Sequence, residues 1–133
     1  MGDITKHFSW REFQCHDGTP VPTDLARNVM EVCENLEVLR HALGDVKIHV
    51  VSGYRTPSWN EHVGGAKHSQ HKLGKAADIR VAGLTPVQLR ERVLDLIEAG
   101  KMKQGGVGLY PTFLHYDVRG TGARWEGGRR REG

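Results

Sequence analysis

Ser69-Gln70-His71-Lys72-Leu73-Gly74-Lys75-Ala76-Ala77-Asp78-Ile79-Arg80-Val81 is the stretch on which the fold turns. From Ala76 onward it alternates. Ala77, Ile79 and Val81 fall on one side of an extended strand, and Ala76, Asp78 and Arg80 fall on the other. The pattern predicts a strand with one apolar face for a core and one face carrying an acid. His71 lies in the loop that leads into it, and Gly74 between them permits a tight turn.

Working outward, the residues on either side supply the rest of a small domain. Upstream, Leu25, Val29, Val32, Cys33, Leu36, Leu39 and Leu43 recur at helical spacing, with Pro22-Thr23 as the expected N-cap and Gly44 as the stop. A β-branched run at 47–52 predicts a strand, 58–62 a short helix, and 63–74 a long loop holding several histidines. Downstream, Thr85-Pro86-Val87-Gln88 reads as a capping box with proline at the first helical position. Val93, Leu94, Leu96 and Ile97 supply that helix's buried side, and Gly100 ends it. Two strands follow, around 106–109 and 112–118. In the second, Leu114, Tyr116 and Val118 alternate with Phe113, His115 and Asp117. The expected fold is α+β, two long helices packed on a small, mainly antiparallel sheet.

The 133 residues fit one domain, expected over 1–126, with a basic tail over 127–133. With 38% hydrophobic and 26% charged residues, the chain reads as globular, and no apolar stretch is long enough to span a bilayer. The first residues lack a basic start followed by an apolar run, so no secretory signal is expected. Net charge is +3, and four Arg against two Glu between Arg124 and Gly133 carry most of it. The Arg129-Arg130-Arg131 run is read as a solvated terminus. Without aromatic interleaving or a recognition motif, no specific nucleic-acid partner is expected. Two cysteines, Cys15 and Cys33, are too few for a disulfide framework, and Cys15-His16 with Asp17 is only a fragment of a second metal pattern.

The chemistry gathers around the first strand. His71, Asp78 and His115 offer two imidazoles and a carboxylate, a donor set that suits a catalytic zinc ion with one position left for water. Taken singly, Asp78 could pair with Arg80 or Lys75, and His115 could be an ordinary strand histidine. No cysteine quartet exists for a closed structural zinc site.

The 69–78 stretch also resembles the Ser-x-His-x-x-Gly-x-Ala-x-Asp signature of zinc D-Ala-D-Ala carboxypeptidases. Their fold is shared by L-alanyl-D-glutamate endopeptidases and the hedgehog signalling domain. Ser52-Gly53-Tyr54-Arg55-Thr56-Pro57, Asn60 and Gly64-Gly65-Ala66 are similar to that family's upstream segment. Gly106-Val107-Gly108-Leu109-Tyr110-Pro111 with His115-Tyr116-Asp117 is similar to its last strand. Phe8-Ser9-Trp10-Arg11-Glu12-Phe13 and Arg124-Trp125 resemble the ends of a short, often phage-encoded branch.

The resemblance implies one Zn²⁺ held by His71, Asp78 and His115, and hydrolysis of peptide bonds in peptidoglycan stem peptides. Arg55 is implied to contact the substrate carboxylate or the scissile carbonyl. Ser69 is expected either to bind substrate or to hold its loop. The general base is the open position. Relatives place Glu or Asp three residues before the last histidine, where this chain has Thr112, or His two residues before, where it has Phe113. Asp117, on the same strand face as His115, is expected to act as that base or to orient a ligand imidazole, with His68 as another candidate. A non-catalytic zinc-binding module of the same fold is the alternative. A monomer without membrane insertion is expected, made in the bacterial cytoplasm and released to the wall during phage lysis, or carried on a virion.

Overall fold

The computed structural model describes residues 2–128. The predicted tail, with its Arg129-Arg130-Arg131 run, lies outside the described residues apart from Gly127 and Gly128. Along the chain come α1 (Trp10–Phe13), α2 (Ala26–Ala42), β1 (His49–Ser52), α3 (Pro57–His62), β2 (Ala76–Arg80), α4 (Pro86–Glu98), β3 (Gly106–Leu109), β4 (Leu114–Asp117) and β5 (Ala123–Glu126). The sheet runs in the order β1-β2-β4-β3-β5. Its first three pairings are antiparallel, while β5 joins β3 in parallel. Two long helices on a mainly antiparallel sheet give the expected α+β architecture. None of the described helices is long and apolar enough to cross a membrane.

Helix α2 forms because its apolar residues return to one face every three or four positions. Val29, Val32, Cys33, Leu36 and Leu39 are all fully buried. It begins later than the Pro22-Thr23 signal implied. Thr23–Leu25 form a 3-10 turn, and no side chain caps it. In α4 the predicted capping box is present: Gln88 N–H donates to Thr85 Oγ1 at 3.2 Å, and Thr85 N–H to Gln88 Oε1 at 2.9 Å. Such a cap contributes about 1 kcal/mol to a helix.

Both helices cover the same face of the sheet. Val29 and Leu36 of α2 and Leu89, Val93 and Ile97 of α4 share one core with Ala77, Ile79, Leu114 and Tyr116. Each Val, Leu or Ile among them contributes roughly 1.5–3 kcal/mol by leaving water. Strand alternation therefore commits Asp78, His115 and Asp117 to the opposite face.

On that face the register lines up a lateral row. Ser52 pairs with Asp78, Asp78 with His115, His115 with Gly108, and Gly108 with Trp125. Gly108 is indispensable to it, because a Cβ there would lie 2.3 Å from the Trp125 ring. A second, smaller cluster of Val51, Tyr110 and Phe113, with Trp125 against it, flanks the row.

Candidate metal centre

His71 is delivered by a short 3-10 turn, Gln70–Leu73, inside the segment read from sequence as loop. Ser69 caps that turn: its Oγ accepts from His71 N–H at 3.2 Å. Gly74 closes it in the left-handed conformation, φ +69°, before the chain enters β2. Two bonds lock the turn to the end of β1. Arg55 N–H donates to His71 O at 3.1 Å, and His71 Nδ1 donates to Gly53 O at 2.7 Å.

Asp78 and His115 stand side by side on β2 and β4. Asp78 Oδ1 lies 3.1 Å from His71 Nε2 and 3.1 Å from His115 Nδ1. One ligand atom from each of the three residues falls within 4.8 Å of the others. All three are buried.

The proton positions follow from the partners. A carbonyl oxygen can only accept, so His71 carries its proton on Nδ1 and turns the Nε2 lone pair toward Asp78. In its neutral form His115, whose Nε2 is 2.7 Å from Asp117 Oδ2, donates there and turns its Nδ1 lone pair toward Asp78 Oδ1. With both rings neutral, three electron-rich atoms converge on one point, an arrangement that repels itself unless a metal ion or a proton sits among them. Two imidazole nitrogens and one carboxylate oxygen suit a divalent metal of borderline softness, zinc foremost. The residues fit the group.

Electrostatics prepares each candidate ligand differently. Burial drives His71 toward its neutral form, against the pull of Asp78 and with the push of Arg55, leaving it lowered to about 4. Burial also works against charge on His115, but hydrogen bonds to Asp117 and Asp78 outweigh it and push it up. For Asp78 burial opposes ionisation, yet His71 and His115 hold the carboxyl well below the usual range.

Arg55, expected to face substrate, is 1% exposed. Its Nη2 donates to Asp78 Oδ2 at 3.0 Å, Nη1 to Asn60 Oδ1 at 3.2 Å and Nε to Ser52 Oγ at 3.2 Å. Gly65 closes over it, since a Cβ there would come within 3.0 Å of Nη1. The guanidinium is placed behind the acid, with Asp78 between it and the histidines.

Asp117 is fully buried on the far side of the His115 ring from Asp78. It accepts from Gly106 N–H at 2.8 Å and, through both oxygens, from Arg119 at 2.9 and 2.8 Å. Burial opposes its charge, but His115 and Arg119 hold it well below the ordinary carboxylate range.

The centre opens into a cleft of about 460 Å³ lined by residues 66–71, Tyr110, His115, Arg119 and Trp125. Ser69 and His68 are both in that lining. Trp125 lies 5.0 Å from the His115 ring and donates to Tyr110 OH at 2.9 Å. Sequence reading did not place Arg119 and Trp125 in the site. The Trp59 ring packs 4.9 Å from His62 and is not part of that lining. Cys15 is buried and Asp17 turns to Thr19 and Thr56, so no second metal group forms among the described residues.

Residues 6–117 match the family described as peptidase M15. The chain belongs to the peptidase M15 family. Among curated relatives, it is 37% identical over 92 residues to the probable peptidoglycan L,D-endopeptidase MepK of Haemophilus influenzae, covering 64% of this chain and 46% of that protein. To MepK of Escherichia coli K12 it is 33% identical over 100 residues, covering 69% and 51%. To the zinc D-Ala-D-Ala carboxypeptidase of Streptomyces albus G it is 42% identical over 52 residues, covering 39% and 20%. The chain spans about half or less of the length of these M15 relatives.

Proposed function

We propose that this M15 chain is a zinc-dependent peptidase acting on the stem peptides of peptidoglycan. The observation that carries the reading is the convergence of His71 Nε2, Asp78 Oδ1 and His115 Nδ1 at the foot of an open cleft. Zinc held there would supply Lewis acidity, polarising a scissile carbonyl and acidifying water.

The protein's own groups fix the geometry. Gly53 O sets the His71 ring, Arg55 sets the Asp78 carboxylate, and Asp117 sets the His115 ring. Asp117 therefore reads as the residue that orients His115, because it touches the nitrogen turned away from the metal point. Arg55 reads as a positioning residue of the same kind. Ser69 holds the turn that presents His71. For proton transfer the cleft offers the imidazole of His68, three residues before His71 and in the same wall.

An endopeptidase suits the shape better than a carboxypeptidase. Tyr110 lines both the metal cleft and a second depression of about 440 Å³, which continues over Pro86, Val87, Pro111 and Gly127. A groove continuing on both sides of Tyr110 accommodates a chain that runs past the cleaved bond. The second reading is a non-catalytic zinc-binding module, favoured by the absence of a carboxylate among the described residues that line the cleft. Delivery to the wall during phage lysis or from a virion belongs to the same proposal.

Mass analysis of fragments from purified peptidoglycan, with His71→Ala as control, separates the readings. The peptidase releases new amino groups at one bond type, only with zinc and only with His71. Stoichiometric zinc binding without any released amino group would leave the module.

A further inference from the structure

We propose that Arg119 is the substrate anchor of the cleft, binding a peptide carboxylate close to the scissile bond. The proposal rests on the peptidase reading of that cleft.

Arg55, the anchor expected from sequence, is not among the described residues that line the cleft. Arg55 is 1% exposed and directs donors at Ser52, Asn60 and Asp78. Arg119 has the opposite disposition. Its side chain is 29% exposed, and it lines the cleft together with His71 and His115. Nε and Nη2 are fixed by the two oxygens of Asp117. Among the described residues, nothing accepts from its Nη1. The guanidinium also lies 5.5 Å from the Trp125 ring centroid, so its plane is held by a fork on one edge and an aromatic ring on its flank. A guanidinium held this firmly loses little freedom when it takes a second carboxylate.

Charge selects the ligand. Among the described residues, the cleft lining contains Lys67, His68 and Arg119 and not one carboxylate. The carboxylate that balances Arg119 is Asp117, fully buried beneath it. An anionic group entering the cleft meets donors and, among the described lining residues, no acid.

Asp117 also couples recognition to chemistry. One of its oxygens, Oδ2, bonds both the His115 ring and Arg119, at 2.7 and 2.8 Å. The distance from anchor to metal point is thereby set by one rigid carboxylate. A substrate whose carboxylate sits at that span from its scissile carbonyl is held in register, and one lacking it loses a charge-assisted hydrogen bond. That loss corresponds to about 10–100-fold in affinity.

The test uses one stem peptide in two forms, the free carboxylate and the carboxamide, with wild type, Arg119→Gln and Arg119→Lys. Binding is titrated on the metal-free full chain, and KM and kcat are measured on the zinc-loaded chain. Wild type is expected to prefer the carboxylate by about 10–100-fold. Arg119→Gln should abolish the preference by raising KM for that form alone, with zinc stoichiometry unchanged. Arg119→Lys, which keeps a counter-charge for Asp117, should retain part of it and covers the case of a Gln variant that fails to fold.

Equal binding of the two forms by wild type would overturn the proposal. So would a preference that survives Arg119→Gln, or a variant that loses both forms and its zinc together, which is the signature of a structural prop. A preference present in binding but with no cleavage by wild type would refute the peptidase reading and leave the anchor standing.

Discussion

The two histidines of the centre are held in opposite ways. His71 hangs from the main chain, with Nδ1 on the Gly53 carbonyl, while His115 leans on a side chain, with Nε2 on Asp117. The first anchor is neutral, and burial leaves the ring lowered to about 4. The second is a carboxylate, and it pushes His115 up. Asp78 Oδ1, at 3.1 Å from each, is where the two designs meet. One arm resists mutation because no side chain provides it. The other can be altered by changing Asp117, and it links the metal point to Arg119 at the cleft.

Removing the meeting point should have the largest effect. Asp78→Ala takes away the proposed shared ligand and leaves Arg55 buried without its acid, a change that costs about 3–5 kcal/mol. Denaturant melts should show that loss, and the variant should retain no zinc after dialysis. Retention of full zinc would mean that the histidines bind without the acid.

Next come paired changes, one to each arm. Asp117→Asn should weaken zinc by about 10–100-fold, as loss of a ligand-orienting carboxylate does, read by competition with a chromophoric chelator. Gly53→Ala strikes the other arm through the backbone, because its Cβ would lie 2.7 Å from Phe13 Cα. Overpacking of that kind costs about 1–3 kcal/mol, so this variant should melt earlier as well as bind zinc more weakly. If only Asp117→Asn affected zinc, the main-chain arm would be dispensable.

The smallest effect is in pH dependence, where the arms have opposite signs. In the metal-free protein His71 contributes stability that is complete above its unfolded value of 6.5 and is lost as pH falls toward about 4. His115, raised, contributes stability that is complete below 6.5 and is lost as pH rises through its folded value. Asp117→Asn removes the principal support of the second contribution. Its metal-free form should therefore lose stability more steeply than wild type between pH 7 and pH 5, in melts at the two values. Parallel slopes would show that Asp117 does not govern the His115 ring.

The alternation of β2 and β4 made the ligand face legible from sequence: Ile79 and Leu114 went to the core, so Asp78 and His115 had to face away. The capping box at Thr85 was equally local and equally visible. What escaped depended on contacts between distant residues. Strand β5 offers a half-buried, half-exposed Ala123–Glu126, too short to announce itself, and becomes a strand by pairing in parallel with β3. Only that pairing carries Trp125 to His115. The direction of Arg55 depended on where Asp78 and Asn60 came to rest, which no spacing encodes. Arg119 did leave a signal: it follows Asp117 by two positions, the spacing that puts side chains on one side of an extended chain.

The most direct test is the ring nitrogen that each histidine gives to zinc. Long-range ¹H–¹⁵N spectra of the imidazoles, recorded before and after one equivalent of zinc, should show both rings changing together. In the loaded protein, His71 should be protonated at Nδ1 and His115 at Nε2, one ring binding through each nitrogen type. Zinc that leaves either ring unchanged, or two rings bound through the same nitrogen, would contradict the centre described.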